Sequence, residues 1–278
     1  MYKKHRFGYF FVGLIVVIIL NFSNITQFIE TSIKDSTDIV NTIKDTKQQF
    51  TSIQGIKIKY TDEINDDIFV IPFAYEDIPE LSDSHIEEIN DGIPFFVTMT
   101  EEGPKINISI MPIGIITQGL DSLGRTGAVA QIVGPETIPG ENEERGNISS
   151  VKPTGWVQQK YDFVDQQYLY NRCHLLAWCL TGQNANPENL ITGTRSMNTN
   201  MIMYETAILK TIRNSNYHII VRVTPIYNGN DLLAHGLLYE AFSIEDDGLS
   251  ICYNIYFDNV EDGVDINYTT GENHILNE

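Results

Sequence analysis

The sequence predicts an α+β domain built on a mostly antiparallel central sheet. Short runs of β-branched and aromatic residues, separated by glycine, proline and polar residues, recur between residues 56 and 257 and are typical of strands. Within that region, residues 198–213 carry apolar side chains at helical spacing and predict one long helix. Strands joined mainly by loops, with few helices between them, favour antiparallel pairing.

Each predicted strand is a short apolar segment bounded by turn residues. In chain order these segments are residues 56–60, 68–75, 93–99, 106–112, 157–163, 167–175, 188–194, 217–227, 232–244 and 249–257. Residues 134–152 combine prolines, glycines and charges and predict a surface loop, and residues 182–189 predict a turn-rich loop. The order around residues 167–213 is therefore strand, loop, strand, helix.

Residues 1–22 have the character of a membrane-targeting segment. A basic start is followed by an apolar run at residues 7–20, which is shorter than the roughly 20 residues of a transmembrane helix. No small-residue cleavage pattern follows, which favours an uncleaved signal anchor over a removed signal peptide. A buried core helix is disfavoured because the run has no polar face. Basic residues before the run predict a cytoplasmic N-terminus.

The rest of the chain is predicted to lie outside the cytoplasm in two parts. Residues 23–55 predict a helical or partly disordered stalk, and residues 56–278 predict a single globular domain. The protein is thus expected in the cell membrane as a single-pass protein, or secreted if the segment is cleaved.

The charge is unevenly distributed along the chain. The net charge of -19 disfavours a polyanion-binding protein, because contacts to phosphate dominate such binding. Residues 152–222, however, hold seven basic and four acidic side chains, whereas residues 223–278 hold eleven acidic side chains and no lysine or arginine. The candidate site described next lies in the stretch that is not acidic.

Residues 168–198 are the most informative part of the chain. His174 lies two residues after Arg172, and two asparagines, Asn189 and Asn198, follow 15 and 24 residues after the histidine. A histidine can activate water, an arginine can hold a phosphate, and an amide oxygen can ligate a hard divalent cation. These are the components of metal-assisted phosphodiester hydrolysis. A lone histidine would more often be structural, but these neighbours favour catalysis.

A family resemblance rests on this stretch and on the segments around it. Residues 171–174 (Asn-Arg-Cys-His) resemble a D-R-G-H-type motif, and residues 183–198 resemble the run that follows it. Further landmarks lie at residues 121–125, 151–156, 217–227, 240–246 and 265–271. The chain resembles the DNA/RNA non-specific endonucleases with a ββα-metal (His-Me finger) active site, over residues 76–273. It is most similar to their membrane-bound branch, which acts in DNA uptake.

The resemblance implies a role for each candidate residue. His174 would be the general base that deprotonates the attacking water. Asn198 would be the direct ligand of Mg²⁺, with Mn²⁺ as the alternative metal, and waters would complete the coordination. Arg172 would clamp a phosphate oxygen, Asn189 would position the histidine or the phosphate, and Glu205 would hold a metal-bound water.

Three positions depart from the family pattern. Asn171 stands where an aspartate is usual, and Cys173 stands where a glycine is usual. Glu205 follows Asn198 by seven residues, where about eight are expected. Because the histidine and the arginine of the motif are retained, these departures predict altered activity rather than its loss.

Several residues keep a second interpretation. Asn198 is also a candidate N-cap for the predicted helix, since asparagine is favoured there. Arg195 is interpreted either as a contact to the nucleic-acid backbone or as a solvated surface charge. Trp178 and the tyrosines are expected in the core rather than as platforms for bases. A bridge between Cys173 and Cys179 is conceivable, but small apolar packing residues are the favoured interpretation.

The sequence therefore predicts a Mg²⁺-dependent, sugar-non-specific endonuclease that cleaves DNA, and RNA as well, with little sequence preference. The alternative is a catalytically silent extracellular module that binds nucleic acid. The net charge and the motif departures favour this alternative, whereas the retention of both His174 and Asn198 disfavours it. A third possibility is a nuclease restrained by an inhibitor protein.

Overall fold

The computed structural model describes residues 66–107 and 114–276, which lie in one compact unit. The predicted anchor, the predicted stalk, the strand at residues 56–60 and most of the strand at residues 106–112 lie outside the described residues. No helix in the described part of the chain has the length and apolar character needed to span a membrane.

The described elements are mainly strands. In chain order they are β1 (Ile86–Glu88), β2 (Val97–Thr100), β3 (Gly103–Ile106), β4 (Ile116–Thr117), β5 (Val129–Val133), β6 (Tyr170–His174), α1 (Trp178–Thr181), β7 (Leu190–Thr194), α2 (Arg195–Ser215), β8 (Ile219–Ile226), β9 (Gly236–Ser243), β10 (Cys252–Asp258), β11 (Val264–Ile266) and β12 (Asn273–Ile275). Short 3₁₀ helices lie at Asp66–Phe69, Tyr75–Asp77, Asn90–Gly92 and Pro187–Asn189.

A six-stranded antiparallel sheet, ordered β1-β10-β9-β8-β5-β4, forms the centre of the fold. Every residue of β9 is buried because both faces of the sheet are covered. Tyr239 and Ala241 face the cluster that contains α2, while Leu238 faces a second cluster with Phe73 and Ile89. This arrangement confirms the predicted α+β class with its mostly antiparallel sheet.

Two predicted strands are wrong. Residues 68–75 form no strand, and Pro72 among them lacks the N–H that a ladder requires. Their apolar side chains instead cover the second face of the sheet. Residues 157–163 make only the isolated bridge between Lys160 and Tyr168. Tyr161 and Val164, in and just after this segment, pack into a small separate cluster. The local sequence pattern alone does not distinguish this packing from the burial of side chains on a strand.

Strands β6 and β7 form a two-stranded antiparallel hairpin that leads directly into α2. Thr194 ends β7 and is also the N-cap of α2, where its hydroxyl oxygen accepts from the Met197 amide at 3.1 Å. The predicted order of strand, loop, strand and helix is confirmed. The helix begins three residues earlier than predicted, so Asn198 is not its N-cap.

One face of α2 packs on the central sheet. Met197, Met201, Ile208 and Ile212 are buried on this face, and Asn216, at φ 55°, ends the helix in the left-handed conformation. The spacing of these four side chains keeps the opposite face of the first turns free for polar residues.

The cysteine that replaces the family's glycine is accommodated by a glycine on the neighbouring strand. Cys173 is fully buried, and none of the three cysteines is in a disulfide. A methyl group at Gly193 would collide with the Cys173 sulfur and would lie 2.5 Å from Met197 Cε. Cys173 therefore acts as a small apolar packing residue between β7 and α2.

Gly193→Ala is expected to lower the free energy of unfolding by about 1–3 kcal/mol, because the added methyl overpacks this contact. Urea unfolding followed by circular dichroism measures the change. Cys173→Ala serves as the matched partner, since it removes the sulfur that the new methyl meets. The double variant should lose less free energy of unfolding than the two single variants lose in total. Full additivity would contradict the packing argument.

Candidate active site

His174 lies at the end of β6 with both ring nitrogens hydrogen-bonded. Its Nε2 donates to the backbone carbonyl of Asn184 at 2.9 Å, because a carbonyl oxygen can only accept. Nδ1 of the neutral ring then accepts from Nη2 of Arg145 at 3.1 Å. These two contacts determine the tautomer and place the basic lone pair on Nδ1.

The environment of His174 favours its neutral form. The residue is only 7% exposed, and burial lowers the pKa of the imidazole below its usual value. The positive charge of Arg145 lowers this pKa further, while the bond to Asn184 opposes the shift. A neutral imidazole at neutral pH is the form that accepts a proton from water.

Arg145 is a site residue that sequence reasoning missed. It is an exposed residue of the loop at residues 134–152, yet its guanidinium reaches His174 across 29 residues of chain. The prediction of a surface loop there is confirmed, but its composition carries no signal for this contact. Loop residues follow no period, so the sequence does not show which of their charges meets the site.

Asn198 and Glu205 lie on the same face of α2. Their separation of seven residues is close to two full turns at 3.6 residues per turn. Asn198 is half-buried and lines a cavity, and Glu205 is also half-buried. Burial raises the pKa of the Glu205 carboxyl to about 7, while the positive charge of Arg145 opposes the rise.

The chemistry of these two side chains is compatible with a hydrated hard cation, with Asn198 as the ligand and Glu205 as the acceptor for a bound water. Within residues 66–107 and 114–276, no basic side chain forms a salt bridge with Glu205. A nearby cation would favour the charged form of a carboxyl whose pKa is raised by burial. The described residues contain no group of three or more His, Cys, Asp or Glu side chains that could hold a metal. Mg²⁺ needs few direct protein ligands because it keeps several of its waters, so Asn198 could bind the ion directly and Glu205 could bind one of those waters.

Arg172 is held in a defined orientation beside the same cavity. Its guanidinium lies over the Trp156 ring at 4.2 Å. Its Nε donates to the Val151 carbonyl and its Nη2 donates to the Ser149 carbonyl at 3.0 Å. An arginine has five N–H donors, so donors remain for a phosphate oxygen after these contacts.

Asn189 is a supporting residue and does not reach the cavity. It is fully buried, its Oδ1 accepts from the Leu176 amide at 2.9 Å, and its Nδ2 donates to the Leu176 carbonyl at 3.0 Å. Of the two expected roles for Asn189, positioning the phosphate is the one that these contacts disfavour. The other expectation, that it positions the histidine, agrees with these bonds, because they hold the segment that follows His174.

An open cavity of about 460 Å³ brings the polar residues together. Arg145, Arg172 and Arg195 line it, as does Asn198 from α2. None of the lining side chains, all from the described part of the chain, is acidic. In a protein of net charge -19, the lining of this cavity is therefore locally basic.

The fold and this arrangement agree with comparisons to known proteins. The family model of the DNA/RNA non-specific endonucleases matches residues 109–243, which contain the β6–β7 hairpin, α2 and every candidate residue above. This match identifies residues 109–243 as a DNA/RNA non-specific endonuclease domain, and the protein is an endonuclease. The resemblance to the endonuclease family is thereby confirmed, while the assignment to its membrane-bound branch stays a prediction. No curated protein sequence matches the chain.

Solved structures of nucleases share the fold. NucA from Streptococcus agalactiae without metal aligns with a TM-score of 0.58 at 20% identity, over 88% of this chain and 100% of that one. NucA from Streptococcus agalactiae with magnesium bound aligns with a TM-score of 0.57 at 23% identity, over 73% of this chain and 94% of that one. The Sda1 nuclease with bound zinc aligns with a TM-score of 0.51 at 26% identity, over 59% of this chain and 81% of that one.

Asn189→Ala is expected to lower the free energy of unfolding by about 1–3 kcal/mol, because it leaves the amide and carbonyl of Leu176 buried without partners. Asn189→Asp is the matched variant, since it retains the acceptor for the Leu176 amide and loses only the donor. Chemical unfolding of both variants measures the difference. A wild-type unfolding curve for Asn189→Ala would contradict the supporting role.

If His174 is the general base, the acid limb of the pH profile of kcat/KM is expected below pH 6.5, the usual imidazole pKa, because a base must be neutral and the pKa of His174 is lowered. Arg145→Gln should move this limb to higher pH, since a positive charge that lowers the pKa is removed. Burial, the larger cause, remains, so the displacement should be partial.

Lys152→Gln is the control for this profile. It removes one positive charge from an exposed position of the same loop. Its acid limb should stay at the wild-type position. An Arg145→Gln limb that coincides with that of Lys152→Gln would show that Arg145 does not act on His174.

Proposed function

We propose that this endonuclease hydrolyses phosphodiester bonds of DNA, and also of RNA, with Mg²⁺ as its metal and with little sequence preference. The observation that carries the proposal is a neutral, buried His174 bonded to an arginine of the cavity that Asn198 also lines. A base, phosphate-binding side chains and an amide ligand are thus joined in one site.

His174 acts as the general base through Nδ1. In the free enzyme Arg145 covers this nitrogen, so the exposed guanidinium moves away before a water can occupy its place. A phosphate entering the cavity attracts the guanidinium, because charge-assisted contacts to phosphate are stronger than a contact to a neutral ring. Nδ1 then takes the proton of the water, and the Asn184 carbonyl, still bonded to Nε2–H, stabilises the imidazolium.

The attacking water oxygen forms a bond to phosphorus while the bond from phosphorus to the 3′ oxygen breaks. Arg172, oriented by Trp156 and two backbone carbonyls, holds a non-bridging oxygen of the phosphate. Asn198 would hold Mg²⁺ directly and Glu205 would hold one of its bound waters, and the metal would supply charge neutralisation and protonation of the leaving oxygen.

Oxygen donors favour Mg²⁺, with Mn²⁺ as a substitute. Zinc sites in proteins are usually built from cysteine and histidine, and the candidate donors here are an amide and a carboxyl. NucA from Streptococcus agalactiae has been solved with magnesium bound, which supports the same choice for this chain.

Low sequence preference is supported by the nature of the cavity. Three arginines line it, and arginines that contact phosphate position a strand without reading its bases. The same contacts serve DNA and RNA, because both backbones carry the same phosphodiester.

The nuclease is proposed to act outside the cytoplasm. Residues 1–22 would anchor it, residues 23–55 would form a stalk, and residues 56–278 would form the catalytic domain. The basic start followed by an apolar run supports this arrangement. Cleavage of the segment would give a secreted enzyme instead.

The test uses the full-length protein in mild detergent with circular plasmid DNA and with RNA, in Mg²⁺, in Mn²⁺ and in EDTA. Wild type should nick and then fragment both substrates only with metal. His174→Ala and Asn198→Ala should each reduce the rate by about 100-fold or more. Folding of each variant is checked by thermal unfolding.

His274→Ala and Asn200→Ala are the matched controls. His274 is an exposed histidine near the end of the described chain, and Asn200 is a polar residue of α2 whose Nδ2 donates to the Ser84 carbonyl. Both should keep wild-type rates. Folded wild type that binds nucleic acid but leaves it intact under all metal conditions would instead support the silent binding module.

A further inference from the structure

Arg195 is the first residue of α2 and lines the same cavity as Arg145 and Arg172. Its Nε and Nη2 both donate to Oδ2 of Asp165, at 3.0 and 2.8 Å. Its Nη1 donates to Oδ1 of Asn171 at 3.4 Å, a long bond. The arginine is therefore held by one carboxylate and one neutral amide.

The two partners of this ion pair differ in exposure. The Arg195 side chain is 17% exposed and the Asp165 side chain is 72% exposed. Arg195 is thus fixed by the packing around it, while Asp165 extends from the surface. An ion pair with one solvated partner contributes little net free energy, so another anion can replace the exposed carboxylate.

Asp165 lies in a turn with an unusual backbone. Gln166 and Gln167, the next two residues, adopt left-handed conformations at φ 59° and 66°, which non-glycine residues rarely occupy. Gln166 also lines the cavity. The turn therefore places the carboxylate at the edge of the cavity at a cost in backbone energy, and such strain is often found at functional sites.

The carboxylate that pairs with Arg195 comes from outside β6, because β6 has Asn171 at the neighbouring position. The resembling family has an aspartate at this motif position, and an aspartate there would place a negative charge beside Arg195 on the strand itself. With Asn171 the strand offers only an amide oxygen, and the Asn171 Nδ2 group is buried without a partner. The charge that orients Arg195 comes instead from an exposed turn.

We propose that Arg195 is a second phosphate-binding residue of the substrate path. In the free protein the Asp165 carboxylate pairs with the Arg195 guanidinium, and a backbone phosphate of the nucleic acid displaces this carboxylate on binding. The proposal rests on the proposed function, because the phosphate belongs to the strand that is cleaved. It assigns Arg195 to a phosphate beside the scissile one, which Arg145 and Arg172 contact.

A phosphodiester matches the position that Asp165 holds. Both groups present anionic oxygens to the planar donors of an arginine, and a phosphate offers several such oxygens. Displacement costs little because the released carboxylate becomes fully solvated. The consequence is a binding step in which a negative side chain of the protein competes with the substrate.

Binding in the absence of cleavage tests this competition. All proteins are full-length, carry His174→Ala and are kept in EDTA, and a fluorescent single-stranded DNA oligonucleotide reports binding by anisotropy across a series of salt concentrations. Asp165→Asn should tighten binding by about two- to fivefold, because the competing charge is lost. Asn171→Asp should weaken binding by a similar factor, because a second carboxylate then holds Arg195.

Asp162→Asn is the matched control for net charge. Asp162 is an exposed residue of the same turn. Its Oδ1 accepts a hydrogen bond from Gln167, not from Arg195. It changes the protein's charge by the same amount as Asp165→Asn. Only Asp165→Asn should give the larger gain in affinity.

Arg195→Gln separates a binding role from a structural role. It should weaken binding and lower the slope of log affinity against log salt concentration by about 0.7, the value for one lost phosphate contact on a single strand. In the Arg195→Gln background, Asp165→Asn should no longer tighten binding. Thermal unfolding of each variant confirms that the fold is intact.

Equal affinities for Asp165→Asn and Asp162→Asn would overturn the proposal, as would a wild-type salt slope for Arg195→Gln. Failure of the proposed function has a different signature. There the wild-type protein would leave DNA intact in Mg²⁺, whatever residue stood at position 165.

Discussion

The joint between β7 and α2 is the constraint on which the site depends. Thr194 is both the last residue of the strand and the N-cap of the helix, so no flexible connection separates the two elements. Asn259, which is fully buried, accepts from the Thr194 amide at 2.8 Å and donates to a carbonyl just before β9 at 2.8 Å. The joint is therefore fixed to the central sheet, and His174 on the hairpin keeps a constant relation to Asn198 on the helix.

A strongly acidic protein can act on a polyanion because electrostatic interactions weaken over about 8–10 Å at moderate ionic strength. The cavity presents arginines and no carboxylate, while the acidic residues after β8 do not line it. Net charge therefore describes solubility and long-range repulsion, whereas local charge governs binding. The Asp165–Arg195 pair places one negative charge at the boundary between these two regions.

The environment of His174 serves stability and chemistry together. Burial keeps the imidazole neutral, and the same burial requires both ring nitrogens to have partners. Asn184 provides one partner through its carbonyl, and the exposed Arg145 provides the other. Motif departures near the histidine are compensated locally, since Gly193 opposite Cys173 leaves room for the larger side chain.

The sequence by itself determined the α+β class, the hairpin-and-helix unit and the identity of His174, Arg172 and Asn198 as candidate site residues. Those features depend on local periodicity and on residue chemistry at short spacing, both of which are readable along the chain. Only the tertiary structure decided that residues 68–75 cover a sheet face instead of forming a strand, that Asn189 is a buried support, and that Arg145 contacts His174. These outcomes depend on contacts between loops and distant elements, and loops carry no repeating pattern from which such contacts can be derived.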